Sequence, residues 1–212
     1  MHLADGVLSI PVAVSSYAVT AGLLAYSIKG MQEKEIPKVS LMTGGFFAIS
    51  LISIPVGPSS IHPLLVGLLG IILGRRAPVA IFVGLLLQAV LFQHGGLTTL
   101  GANTMMLALP ALVIYHIFKK TGTKMLWSQG LIAGGAGVAG AVILLIVVLF
   151  FSDQRFAEGF FSVINILIAG HVPLVVIEAL LTGFAIQYIY QVKPELLTQK
   201  TSDPLGFIQD KG

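Results

Sequence analysis

Residues 130–151 read GLIAGGAGVAGAVILLIVVLFF, without one charged side chain. Crossing the hydrocarbon core of a bilayer takes about 20 consecutive apolar residues, so this stretch predicts a transmembrane helix. The rest of the chain agrees with it. Of 212 residues, 56% are hydrophobic and 10% charged, against roughly a quarter charged in soluble domains. The class implied is an all-α integral membrane protein, one domain over residues 1–212, with a polar tail from about 191 to 212.

Six more apolar runs flank this one, at about 7–28, 39–56, 64–74, 78–93, 105–118 and 161–190. Together they predict a compact bundle of about seven transmembrane helices. Lysine and arginine concentrate in cytoplasmic loops. The segments after runs one, three, five and seven carry Lys29, Lys34, Lys38, Arg75, Arg76, Lys119, Lys120, Lys124, Lys193, Lys200 and Lys211, and the other side carries only Arg155. That alternation predicts a multi-pass membrane protein with its N-terminus outside and its C-terminus inside. The net charge of +3 follows from this topology and needs no nucleic-acid partner.

Runs three and four are shorter than a bilayer crossing. The outer loops beside them, Gly57–Pro63 and His94–Thr104, are therefore expected to dip into the bundle, where irregular backbone survives only when protein covers it. Pro63 biases His62 towards an extended backbone, so its imidazole would project from a rigid corner. In the second loop Thr98, Thr99, Asn103 and His94 can supply the acceptors that metal-bound imidazoles require on their second nitrogen. On the last run His171 and Glu178 stand two helical turns apart on one face, a possible intramembrane polar pair. Ionisable groups at such depth are expensive and often functional; an internal hydrogen bond between helices is the other reading.

The chain opens Met1-His2-Leu3-Ala4-Asp5-Gly6. An α-amine followed directly by histidine is a chelate in itself. The Met1 amine, the His2 backbone nitrogen and the His2 Nδ1 can close a five-membered and a six-membered ring on one ion, leaving a fourth corner open in the plane. No lysine or arginine precedes Lys29, so a secretory n-region is missing, and the expectation is a retained Met1 with a free amine. The chain has no cysteine, which restricts any metal to nitrogen and oxygen ligands. The Ser-Ser-Ile-His-Pro stretch around His62 could supply the fourth.

The opening hexapeptide, the His62-Pro63 loop and the His94-Gly-Gly-Leu-Thr-Thr-Leu-Gly-Ala-Asn-Thr run together resemble the CbiM/NikM family, the substrate-binding membrane components of energy-coupling-factor transporters for cobalt and nickel. His171-x-Pro173 with Glu178 is also similar to the family pattern, and the resemblance covers nearly the whole chain. It implies a metal held by Met1, His2 and His62, with His94, Thr98, Thr99 and Asn103 around them. Leu64-Leu65 stand where the family often has Thr-Gly. The substrate implied is Ni²⁺ or Co²⁺, with no organic cofactor. Four coplanar nitrogens suit Cu(II) or Ni(II), and the Asp5-Gly6 and Leu8-Ser9 context looks more like the nickel branch than the cobalt branch.

No phosphate-loop motif of the Gly-x-x-x-x-Gly-Lys-Ser/Thr type occurs, so ATP hydrolysis must come from elsewhere. The resemblance implies a transmembrane coupling subunit, two cytoplasmic ATPases and a small accessory membrane protein as partners within the lipid bilayer. Two other classes stay open on sequence. An intramembrane hydrolase would use Ser59 or Ser60 with His62 or His94, although no Gly-x-Ser-x-Gly elbow surrounds either serine. A membrane scaffold or assembly factor would make no use of His2.

Overall fold

The structure, a computed structural model, describes residues 3–52, 54–56, 59–121, 126–153 and 163–197. Among them are seven α-helices: α1 (Ile10–Ile28), α2 (Ile36–Ser50), α3 (Val66–Leu73), α4 (Ala77–Phe92), α5 (Leu100–Thr121), α6 (Leu126–Ser152) and α7 (Val163–Val192). A two-stranded antiparallel hairpin, β1 (Ile54–Val56) and β2 (Ser59–Ile61), separates α2 from α3. Prolines open three of the helices, Pro11 in α1, Pro37 in α2 and Pro78 in α4. Proline suits a first turn because that turn has no intrahelical acceptor for its missing N–H.

Two boundaries depart from the sequence reading. Helix α2 stops at Ser50, and the second half of the apolar run forms the hairpin. Ser50 Oγ donates back to the Phe47 carbonyl at 3.2 Å, and the Ile52 amide turns onto the Ile49 carbonyl at 3.0 Å. Helix α5 begins at Leu100, so Gly101, Asn103 and Thr104 belong to its first turn instead of a loop. The Asn103 amide already bonds the Thr99 carbonyl at 2.9 Å.

The stretch 66–92 is apolar and long enough to cross a membrane once, but it folds back on itself. His62, before α3, touches His94, after α4, with Nε2 atoms 3.4 Å apart. Arg76, at the bend between them, hydrogen-bonds the far end of α1. The two legs match in length. Eight helical residues rise about 12 Å and the irregular residues 62–65 lengthen that leg, against about 24 Å for the sixteen residues of α4. Gly74, at φ 54°, makes the turn that a side chain would resist.

Helix α3 is the centre of the bundle, with all eight residues buried. Apolar burial drives helix association weakly in lipid, where close packing of small residues takes over. A Cβ on Gly67 would stand 2.5 Å from the Ala133 carbonyl oxygen of α6, and one on Gly70 equally near that of Ala111 on α5. The other helices turn large apolar residues outward, among them Ile10, Leu41, Ile132, Phe151 and Phe184. An apolar exterior around a packed core marks a membrane protein.

At the bend, Arg76 is buried and fully engaged. Its Nε and Nη2 each bond the Glu35 carboxylate at 2.9 Å, and its remaining donors reach the carbonyls of Ser27, Lys29 at 3.1 Å and Gly30 at 2.9 Å. The last carbonyls of a helix lack partners and carry the negative end of its dipole. One guanidinium therefore caps α1, starts α2 and fixes the turn into α4. The hydrogen bonds from Arg76 hold the Glu35 carboxyl below the usual carboxylate range.

Candidate metal centre

The opposite end of the bundle gathers His62, His94 and His171. His62 follows the hairpin and is buried, 6% exposed. Its ring meets that of His94 edge-on, centroids 4.8 Å apart at 72°. Helix α4 closes with Gln93 in the left-handed region at φ 51°, and the His94 amide returns to the Gln88 carbonyl at 3.2 Å. This cap turns His94 back over the bundle. Burial pushes the His62 imidazole down to about 3, helped by its neighbours His94 and His171. Burial also lowers His94. Both rings are therefore neutral at neutral pH, the form in which imidazole binds a metal.

His171 and Glu178 lie on α7, and each has a partner other than the other. His171 Nδ1 donates to the Leu167 carbonyl at 2.7 Å, leaving the Nε2 lone pair as its second function. Glu178 Oε1 accepts the backbone amides of Leu64 and of Leu65, the latter at 3.0 Å.

The loop after His94 grips the start of the chain. Asn103 takes the Leu3 amide on Oδ1 at 2.9 Å and returns Nδ2 to the Leu3 carbonyl at 3.1 Å. Thr99 Oγ1 donates to the same carbonyl at 2.6 Å. Asp5 Oδ1 accepts both the amide of Thr98 at 2.8 Å and its hydroxyl at 2.6 Å. These bonds hold the Asp5 carboxyl below its ordinary range, the Thr98 hydroxyl being the larger cause. Glycine is required alongside, since a Cβ on Gly96 would meet Asp5 Oδ1 at 2.2 Å. From below, Thr20 of α1 donates to the Gly101 carbonyl at 2.6 Å.

Thr98, Thr99 and Asn103 thus act on the N-terminal segment itself, where the sequence suggested acceptors for imidazole nitrogens. Met1 and His2 lie outside the described residues, as do the side chains of Ser59 and Ser60. Among the described residues no group of three or more histidines and acids converges as a complete metal site. Glu178's hold on the Leu64 and Leu65 amides was not foreseeable from the sequence, because backbone donors leave no residue-type signature.

A helical membrane protein with two facing neutral imidazoles and a clasped N-terminal segment fits a metal carrier. The comparisons agree. The model of the family described as "Cobalt uptake substrate-specific transmembrane region", CbiM, matches residues 2–196. The chain therefore belongs to the CbiM family. A protein of Haemophilus influenzae named for metal transport is 27% identical over 204 residues, covering 94% of this chain and 98% of its own. A chain of Archaeoglobus fulgidus named for nickel transport, a fused NikMN, is 27% identical, covering 95% of this chain and 70% of its own. The cobalt transport protein CbiM of Sorangium cellulosum is 27% identical, covering 93% and 94%. A crystal structure of a transition metal transporter shares the fold, with a TM-score of 0.76 at 23% identity over 91% of this chain and 93% of the other.

Proposed function

We propose that the protein is the substrate-specific component of an ATP-driven energy-coupling-factor importer in a prokaryotic plasma membrane. Its substrate is a divalent transition metal, Ni²⁺ in preference to Co²⁺. The ligands in this reading are the Met1 amine, the His2 backbone nitrogen and Nδ1, and His62 Nε2. What carries it is the clasp on Leu3. A backbone amide and carbonyl one residue beyond His2 are both held by Asn103, in the segment that follows His94, and His94 touches the buried, neutral His62. A chelate built on a chain end needs such a grip, because a terminus is otherwise mobile.

In this reading the histidine end faces outward and the arginine end inward, the seven helices being seven membrane-embedded segments. Arg75, Arg76, Lys29, Lys38 and Lys193 then share the cytoplasmic side, consistent with the bonds from Arg76 to Lys29 and from Lys38 to Leu196. Metal is captured outside, and a transmembrane coupling subunit with two ATPases and a small accessory membrane protein drives its release inside.

The deciding experiment adds one alanine before Met1, with the initiating methionine removed. Every side chain stays and the free amine moves out of register. Loss of Ni²⁺ and Co²⁺ binding in calorimetric titration is expected. Unchanged binding places the metal elsewhere and sinks this ligand set.

A further inference from the structure

We infer that Glu178 is the positioning residue that sets His62, so that α7 controls the metal site through the backbone of Leu64 and Leu65. This rests on the reading of His62 as a metal ligand.

Glu178 is fully buried, at 0% exposure, in the middle of a membrane-spanning helix. A carboxyl group there costs far more than an apolar residue unless it is satisfied. One oxygen is satisfied by two backbone amides across the bundle. The other, Oε2, has no hydrogen-bond partner among the described residues. A residue serving stability alone would be better replaced by an apolar side chain.

The two amides follow immediately after His62-Pro63. Pro63 has a fixed φ, so little freedom remains between the imidazole and the first clamped amide. Leu65, the second, sits at φ 51°, a left-handed conformation that a leucine adopts only when its surroundings impose it. Leu64 and Leu65 are themselves 0% and 1% exposed. The backbone bearing His62 is thus pinned at two successive points by one side chain of α7. The opposite side of that helix turn has no slack either. A Cβ on Gly134 of α6 would stand 2.2 Å from the Glu178 carbonyl oxygen. A shift of α7 against α6 must therefore carry the carboxyl with it, and the carboxyl carries the turn that presents His62.

The test compares E178D and E178Q with wild type and H62A, in Ni²⁺ and Co²⁺ titrations and in the visible spectrum of the Co²⁺ complex. Aspartate keeps the acid but falls a methylene short of the amides; glutamine keeps the reach and an acceptor oxygen. Positioning predicts that E178D weakens binding by about 10–100-fold, as for other residues that orient metal ligands, and alters the Co²⁺ spectrum. E178Q stays within about threefold of wild type on the same reasoning. Equal affinity and spectrum in E178D, E178Q and wild type overturns the inference, as does loss in E178Q with retention in E178D. If E178D does not fold, the infrared difference spectrum of wild type with and without metal decides. A carboxyl band that shifts on binding and vanishes in E178Q supports the inference, and its absence overturns it. H62A separates the two claims: if it binds like wild type, the ligand assignment fails, whereas loss in H62A with none in E178D fails only the role of Glu178.

Discussion

His62 Nε2 and His94 Nε2 face one another at 3.4 Å. With His62 as the proposed ligand, capture exchanges that contact for a metal bond. His62→Ala is expected to abolish measurable Ni²⁺ binding. His94→Ala should cost about tenfold, the range for partners that orient a ligand. Parallel calorimetric titrations check both, and equal losses in the two variants would make His94 a ligand of the same rank.

Acid should separate His62 from the other proposed ligands. Its folded-state value, about 3, lies below the ordinary 6.5. Between those values the unfolded chain takes up a proton that the folded chain refuses. His62 therefore costs no stability above pH 6.5, and stability declines as pH falls from there towards 3, by at most about 1.4 kcal/mol per unit. In a histidine NMR titration His62 should not move above about pH 4. Metal binding should nevertheless weaken well above that, since an unperturbed α-amine titrates near roughly 7.7–8.0. A binding profile flat between pH 5 and 7.5 would tell against the amine as ligand.

The clasp gives a prediction independent of both histidines. Asn103→Asp keeps the acceptor for the Leu3 amide but loses the donor to the Leu3 carbonyl and sets an oxygen against it. Affinity is expected to drop about 10–100-fold, with thermal stability in detergent changed far less. Gly96→Ala should act similarly, because its Cβ would displace Asp5.

The arginine end should behave in the opposite way. Arg76→Ala strips the carbonyls of Ser27, Lys29 and Gly30 around the end of α1, and the Glu35 carboxylate, of their partner at once. Arg76 is buried but Glu35 is a third exposed, with side-chain exposures of 10% and 33%, so the cost is expected to fall below the about 3–5 kcal/mol of a fully buried pair. Arg76→Lys should recover little of it, since an ammonium cannot serve a carboxylate in two-point fashion and the carbonyls together. Chemical or thermal denaturation of the detergent-solubilised protein checks the magnitude, and the folded fraction should still bind metal with unaltered affinity.

Much of this fold is legible in the sequence because the bilayer admits few solutions. Each of the seven apolar runs overlaps one α-helix among the described residues, five stretches being long and apolar enough to cross a membrane, and Arg75-Arg76 marks the bend between α3 and α4. The errors have a common cause. Thr99, Asn103 and Thr104 look like loop residues, yet they are buried in or against the start of α5, where Thr99 and Asn103 bond the backbone of Leu3 instead of water. Likewise the run at 39–56 is uniformly apolar, and nothing in hydropathy distinguishes the end of α2 from the hairpin that follows. Of the candidate site, His62 and His94 were identifiable by type and side. That Asn103 and Thr99 hold Leu3, and that Glu178 holds Leu64 and Leu65, depends on backbone groups with no pattern to read.

The brevity of α3 has a consequence for how the protein is made. Eight residues are far fewer than the roughly 20 that can enter a bilayer unaided. The helix lies against Ala111 of α5 and Ala133 of α6, and Glu178 of α7 holds the two residues before it. All three partners are synthesised later than α3. The segment must wait, inserted with α4 as a hairpin or held at the membrane surface, until the last helix has emerged. The turn bearing His62 is thus among the final parts of the molecule to take shape, and a nascent chain halted before α7 lacks the carboxylate that holds it.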